Sequence, residues 1–102
     1  MTIDQIPIQI KFLGGAEILF NNVVDHKILI DSNEKDAIEH IIRRIDKDLK
    51  PTRPELFSKD GKVIPGILIL IADNDIELFD DDEPLDLKAN TVISFISTLH
   101  GG

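Results

Sequence analysis

Ile6, Ile8, Ile10 and Phe12 alternate with Pro7, Gln9 and Lys11, a period of two that predicts a strand with one buried face. Pro7 donates no backbone hydrogen bond, which favours an edge or the start of a strand. Gly14 and Gly15 break the alternation. After residues 16–20 the pair Asn21, Asn22 reads as a turn, and a second strand is expected over residues 24–30. The period then changes. Asp31, Ser32 and Asn33 are all good N-cap residues, and Asp31 with Glu34 has capping-box spacing, so a helix is expected to start here. Ile38, Ile41, Ile42, Ile45 and Leu49 form one apolar stripe along it. Arg43, Arg44, Lys47 and Lys50 suit the negative end of its dipole, and Pro51 stops it.

Residues 53–66 are rich in Pro, Gly and charge, with Asp60, Gly61 reading as a turn and Pro65, Gly66 as an entry to the next element. The unbroken aliphatic run 67–71 predicts a strand covered on both faces or protected at an edge. Asp73, Asn74 and Asp75 are expected to turn the chain into a short strand over residues 76–79. Asp80, Asp81, Asp82 and Glu83 read as a solvated acidic loop, and a last strand covers residues 91–98. Strand, strand, helix, strand, short strand, strand matches one helix packed across a mixed sheet, an α+β arrangement. A ferredoxin-like split arrangement would share these strands but needs a second long helix, which the pattern does not provide.

The 102 residues, 42% of them hydrophobic, fit a single domain, and a chain of this size more often binds, carries or regulates than catalyses. With 11 Lys and Arg against 19 Asp and Glu the net charge is −8, which argues against direct nucleic-acid binding and suits either solubility or a basic protein partner. No Cys is present, so the chain offers no disulfide, thiol nucleophile or zinc-thiolate site, and any sulfur it handles comes from outside. His26, His40 and His100 have no convincing metal-ligand spacing. No basic leader segment and no run of about 18 apolar residues is seen, so no membrane role is expected, and the expected location is the cytoplasm, with the nucleus also open. Nothing calls for a homo-oligomer, and a monomer is expected.

Chemistry enters at the C-terminus, where an apolar strand leads through Thr98, Leu99 and His100 to Gly101 and Gly102. The division expected is a domain over residues 1–98 and a flexible tail over residues 99–102. Glycine has no Cβ, so two of them pass a narrow channel and expose a terminal carbonyl to attack once it is activated, for example as an acyl-adenylate. Frayed ends also carry Gly-Gly, and the pair alone decides nothing.

The whole ending Ile93, Ser94, Phe95, Ile96, Ser97, Thr98, Leu99, His100, Gly101, Gly102 resembles that of the ubiquitin-related modifier, or Urm, family. Phe12, Leu13, Gly14, Gly15, Ala16, Glu17 resemble it too, as do Arg53, Pro54, Glu55, Leu56, Phe57 and the segment from Pro65 through Ile71 to Asp73. Two departures stand out. Ile76 occupies a position where the family leads one to expect Trp, and the acidic loop has its own composition.

The resemblance implies a β-grasp fold, ubiquitin-like and MoaD-like, with a mixed five-stranded sheet packed on one long helix. It implies a carrier rather than an enzyme, related to eukaryotic ubiquitin-like modifiers and to bacterial sulfur carriers of the MoaD and ThiS type. An activating enzyme would use ATP and magnesium to adenylate the carboxylate of Gly102, and its rhodanese-type persulfide would convert it to a thiocarboxylate. The sulfur would pass to a tRNA thiolase for 2-thiolation of wobble uridine in cytosolic tRNAs. The same terminus would also be joined to lysines of target proteins, particularly under oxidative stress. The protein itself would bind no cofactor and no metal. Thr98, Leu99, His100 and Gly101 would contact the activating enzyme, His100 by hydrogen bonding rather than as a base, because a flexible tail cannot hold a base in place. Strand alternation then places Ile96 and Ser94 opposite Ile93 and Phe95, so an exposed Ile96 with Ser94 and Leu99 would form a docking patch, unless a neighbouring loop buries it. Two other readings stay open: the small subunit of a molybdopterin synthase, and a non-covalent ubiquitin-like interaction module.

Overall fold

The computed structural model describes residues 4–80 and 82–98. Its strands are β1 (Gln5–Leu13), β2 (Asp25–Asp31), β3 (Ser58–Lys59), β4 (Lys62–Val63), β5 (Ile67–Ile71), β6 (Asn74–Asp75) and β7 (Val92–Ser97), with one α-helix, α1 (Ile38–Asp48). Five strands form a mixed sheet in the order β2-β1-β7-β5-β6, and β3 and β4 make a separate two-stranded ribbon. β1 lies parallel to β7, and the pairs β1/β2, β5/β7 and β5/β6 are antiparallel. This is the β-grasp arrangement of a five-stranded mixed sheet on one helix.

The alternation of β1 becomes the core. Ile8, Ile10 and Phe12 are fully buried, and in the same rows stand Ile28, Ile93, Ile71, Phe95 and Ile69 from the neighbouring strands. Ile41, Ile42 and Ile45 of α1 cover that face. At one end the core is aromatic. Phe12 and Phe20 stack with centroids 3.7 Å apart and an interplanar angle of 7°, and Phe57 meets both rings edge-on. Phe20 reaches this position from a 3₁₀ turn over Ala16–Phe20, a segment for which the pattern predicted no element.

Three local expectations differ from the structure. The Asp31/Glu34 capping box is present, with Glu34 accepting the Asp31 N–H at 2.8 Å, but it closes a 3₁₀ turn over Ser32–Glu34, and α1 starts only at Ile38. The cause is tertiary: the carbonyls of Lys35 and Asp36 accept the N–H groups of Leu87 and Leu85 at 3.0 Å, so they are not available to a helix running through them. The strand expected over residues 76–79 is instead a 3₁₀ turn, Ile76–Leu78, because the Asp75 carboxylate accepts the Glu77 N–H at 2.9 Å and caps it. The preceding turn is at Ala72 and Asp73, both at positive φ, which makes a tight hairpin one residue earlier than expected. The Asp60, Gly61 turn is where the sequence puts it, but β3 and β4 on either side hold two residues each, too few to leave a readable alternation.

Arg44 ties α1 to the turn before it, donating to Glu34 at 2.7 Å, with Asp31 at 3.7 Å and Asp48 at 3.9 Å. Burial pushes the Glu34 carboxyl up, but the Asp31 N–H and the Arg44 guanidinium outweigh it and hold the group below its ordinary value of 4.5. A carboxyl lowered on folding stabilises fully above its unfolded pKa and loses that contribution as pH falls through the folded one. Glu34→Gln is therefore expected to destabilise by about 1–2 kcal/mol near neutral pH, with the gap to the parent closing below pH 4.5. Urea unfolding at a series of pH values checks this. Phe57→Ala, removing the edge-on ring from the aromatic cluster, is expected to cost about 3–5 kcal/mol in the same assay.

Candidate functional site

The tail leaves the domain from the middle of the sheet. β7 ends at Ser97, between the last residues of β1 and the first of β5: Leu13 pairs with Ile96, and Ser97 with Ile67. Thr98, the last residue described, is clasped from the β5 side. Its backbone N–H and its hydroxyl both donate to the Gly66 carbonyl, at 2.7 and 2.8 Å. Gly66 presents that carbonyl from φ 99°, a conformation that favours glycine. On the β1 side Gly14, at φ 66°, approaches so closely that a Cβ there would sit 2.5 Å from the Ser97 carbonyl oxygen and 3.1 Å from Cγ2 of Ile96. Two loops thus hold the root of the tail at a fixed point. Leu99, His100, Gly101 and Gly102 lie outside the described residues.

The sheet face away from α1 carries the second part of the site. Leu13, Ile96 and Leu68 form one row across β1, β7 and β5, and all three are half-buried. The next row is Lys11, Ser94 and Leu70. Ile96 does face away from the helix, as the alternation implied, but Ser94 is only 6% exposed and is not part of an open patch. Its side chain is short and stands in a central strand between the longer Lys11 and Leu70, which overshadow it. The partly accessible apolar surface beside the tail root is therefore the row of Leu13, Ile96 and Leu68. Leu13 and Leu68 could not be found from the sequence, since register alone makes them neighbours of Ile96 and no local pattern encodes register.

The histidines are placed individually. His26 lies edge-on to Phe12 and Phe20, with centroids 5.3 and 5.9 Å away, and its Nε2 is 2.8 Å from the Val23 carbonyl, to which it donates. His40 is half-buried on α1. Among the described residues no group of three or more His, Asp or Glu is placed to hold a metal ion, and no helix is long and apolar enough to cross a membrane.

The family model described as Urm1 (Ubiquitin related modifier) matches residues 7–102. The chain belongs to the ubiquitin-related modifier family. It is 39% identical to the ubiquitin-related modifier 1 homolog of Drosophila simulans over 98 residues, 96% of each chain. It is also 39% identical to human ubiquitin-related modifier 1 over 98 residues, 95% of this chain and 96% of the human one. The solution structure of Urm1 from Trypanosoma brucei superposes with a TM-score of 0.72 at 27% identity, covering 100% of both chains. As a member of that family the protein is a ubiquitin-like modifier with a β-grasp fold, and the clasped strand end is the place from which its terminal residues depart.

Gly14→Ala combines a disfavoured φ with a backbone clash and is expected to cost about 1–3 kcal/mol. Gly15→Ala has a disfavoured φ of 108° but meets nothing within 4 Å, so it is expected to cost less. Amide exchange distinguishes them further: Gly14→Ala should speed exchange at Thr98, while Gly15→Ala should leave it near the parent rate.

Proposed function

We propose that the protein is a sulfur carrier and protein modifier that works through the α-carboxylate of Gly102. The observation that carries this reading is the anchoring of Thr98 by Gly66 and the close approach of Gly14, which give a short Leu99, His100, Gly101, Gly102 tail a defined point of departure. A short terminal segment leaving a fixed root can enter a partner's narrow channel without disturbing the domain, and two glycines, lacking a Cβ, leave the carbonyl uncovered. Family membership supports the same reading.

The chemistry is then done to this protein. Gly102's carboxylate attacks the α-phosphorus of ATP, held with magnesium by an activating enzyme, and pyrophosphate leaves. The terminal sulfur of that enzyme's rhodanese-type persulfide attacks the acyl-adenylate carbonyl, and AMP leaves. A second thiol of the enzyme cleaves the resulting acyl disulfide, releasing a thiocarboxylate on Gly102 and leaving a disulfide on the enzyme. The carrier then delivers sulfur to a tRNA thiolase for the 2-thio group of wobble uridine in the cytosol. Attack by a target lysine amine on the activated carbonyl, instead, gives an isopeptide. The row of Leu13, Ile96 and Leu68 is the docking surface for the activating enzyme, and Thr98, Leu99, His100 and Gly101 contact the walls of its channel.

Incubation with a matching activating enzyme, ATP, magnesium and a sulfur donor is expected to raise the intact mass by one oxygen-to-sulfur exchange, and the variant lacking Gly102 should stay unchanged. An unmodified parent under conditions that load another carrier would defeat the proposal. Leu68→Lys is expected to raise KM for carrier-dependent ATP–pyrophosphate exchange by roughly tenfold with kcat little changed, as loss of a docking contact should. Cells lacking the protein should lose thiolated wobble uridine while keeping molybdenum-cofactor enzyme activity, which separates this role from a molybdopterin synthase subunit.

A further inference from the structure

A pocket of about 210 Å³ lies between the start of α1 and the chain following β6. It is built by the returning loop: Phe79 donates its N–H to the Ile76 carbonyl at 3.0 Å, Glu83 to Asp80 at 3.1 Å, and Leu85 to Asp36 at 3.0 Å. Half-buried Ile38, Ile76, Phe79 and Leu85 make an apolar floor. The rim is the opposite in character, with exposed Asp36, Glu39, Asp80 and Glu83. Of these carboxylates only Glu39 has an ion-pair partner among the described residues, Arg43 at 3.0 Å. Leu78, in the same turn as Ile76, is 78% exposed.

We infer that this pocket receives an arginine side chain from the surface of a protein partner. Its volume is below the range of about 300–1,000 Å³ typical of small-molecule sites and suits a single side chain. An apolar floor under a carboxylate rim matches a side chain with an aliphatic stem and a charged end. A bare cation would waste the floor, and a purely apolar residue would leave the rim unanswered. Guanidinium presents five donors in a planar fork, so one group engages two or three carboxylates at once, which a lysine ammonium does less well. The pocket is at the end of the sheet away from the tail: Ile71 pairs with Ile93, whereas Ile67 pairs with Ser97. A partner held here leaves the tail root uncovered, and the inference does not depend on the chemistry of Gly102.

The test titrates the isotope-labelled full chain with the peptide acetyl-Ala-Leu-Arg-Leu-Ala-amide and with its citrulline counterpart, reading amide shifts by NMR. Saturable shifts are expected at Ile38, Glu39, Ile76, Phe79 and Leu85, with the citrulline peptide binding roughly tenfold or more weakly. The double variant Asp80→Asn, Glu83→Gln should weaken binding by roughly tenfold, whereas Asp73→Asn, Glu77→Gln, with the same charge change outside the pocket, should stay within about threefold. Equal loss in the two double variants, equal binding of the citrulline peptide, or absent or unsaturable shifts would each overturn the proposal by reducing the pocket to part of a diffuse acidic field. Shifts of these amides with the protein's own concentration would also overturn it, naming a second copy as the occupant.

Discussion

The parallel pairing of β1 with β7 at the centre of the sheet is the contact on which the rest depends. It joins the first and last strands, with Phe12 in register with Phe95 and ring centroids 5.8 Å apart. Parallel neighbours cannot be joined by a hairpin, so the chain between β1 and β7 crosses from β2 at one side of the sheet to β5 at the other, and α1 lies on that crossover and covers the apolar face. The same pairing decides where the tail emerges. A last strand at an edge would have one neighbour to steady it, but β7 has β1 on one side and β5 on the other, and each contributes a glycine loop to its end.

The aromatic cluster shows how little of this pairing is local. Phe12 comes from β1, Phe20 from a 3₁₀ turn, Phe57 from the approach to β3 and Phe95 from β7, and all four are buried. Each ring is useful only when the other segments have arrived, which makes burial here cooperative rather than a sum of separate preferences. The turns around the cluster contribute backbone satisfaction more than packing. Thr52 donates to the Leu19 carbonyl at 2.8 Å, and Ile64 donates to that of Phe57 at 3.0 Å, so segments without regular structure are still bonded to the core layer.

Charge is distributed far less evenly than a net value of −8 conveys. Residues 63–102 hold eight Asp and Glu and a single Lys, whereas residues 43–62 hold seven Lys and Arg against four Asp and Glu. At physiological ionic strength the screening length is about 8 Å, so a partner responds to the charges nearest its contact rather than to the total. The acidic stretch supplies Asp80 and Glu83 to the rim of the apolar-floored pocket, while in the basic stretch Arg44 is committed to Glu34, Asp31 and Asp48 within the domain.

The sequence by itself determined the element types that rest on long periodic runs: β1 from its alternation, the apolar stripe of α1, the aliphatic β5, and β7 leading into Gly101 and Gly102. It also determined the family, because the ordered motifs resembling it span nearly the whole chain. Only the tertiary structure decided the start of α1, where the Leu85 and Leu87 amides take the carbonyls of Asp36 and Lys35. It alone turned residues 76–78 into a capped 3₁₀ turn, hid Ser94 between Lys11 and Leu70, and set Leu13 and Leu68 beside Ile96. The division has one physical cause. A side-chain period is written into consecutive residues, whereas a strand register and a borrowed carbonyl depend on partners far away in sequence, whose arrival no local pattern records.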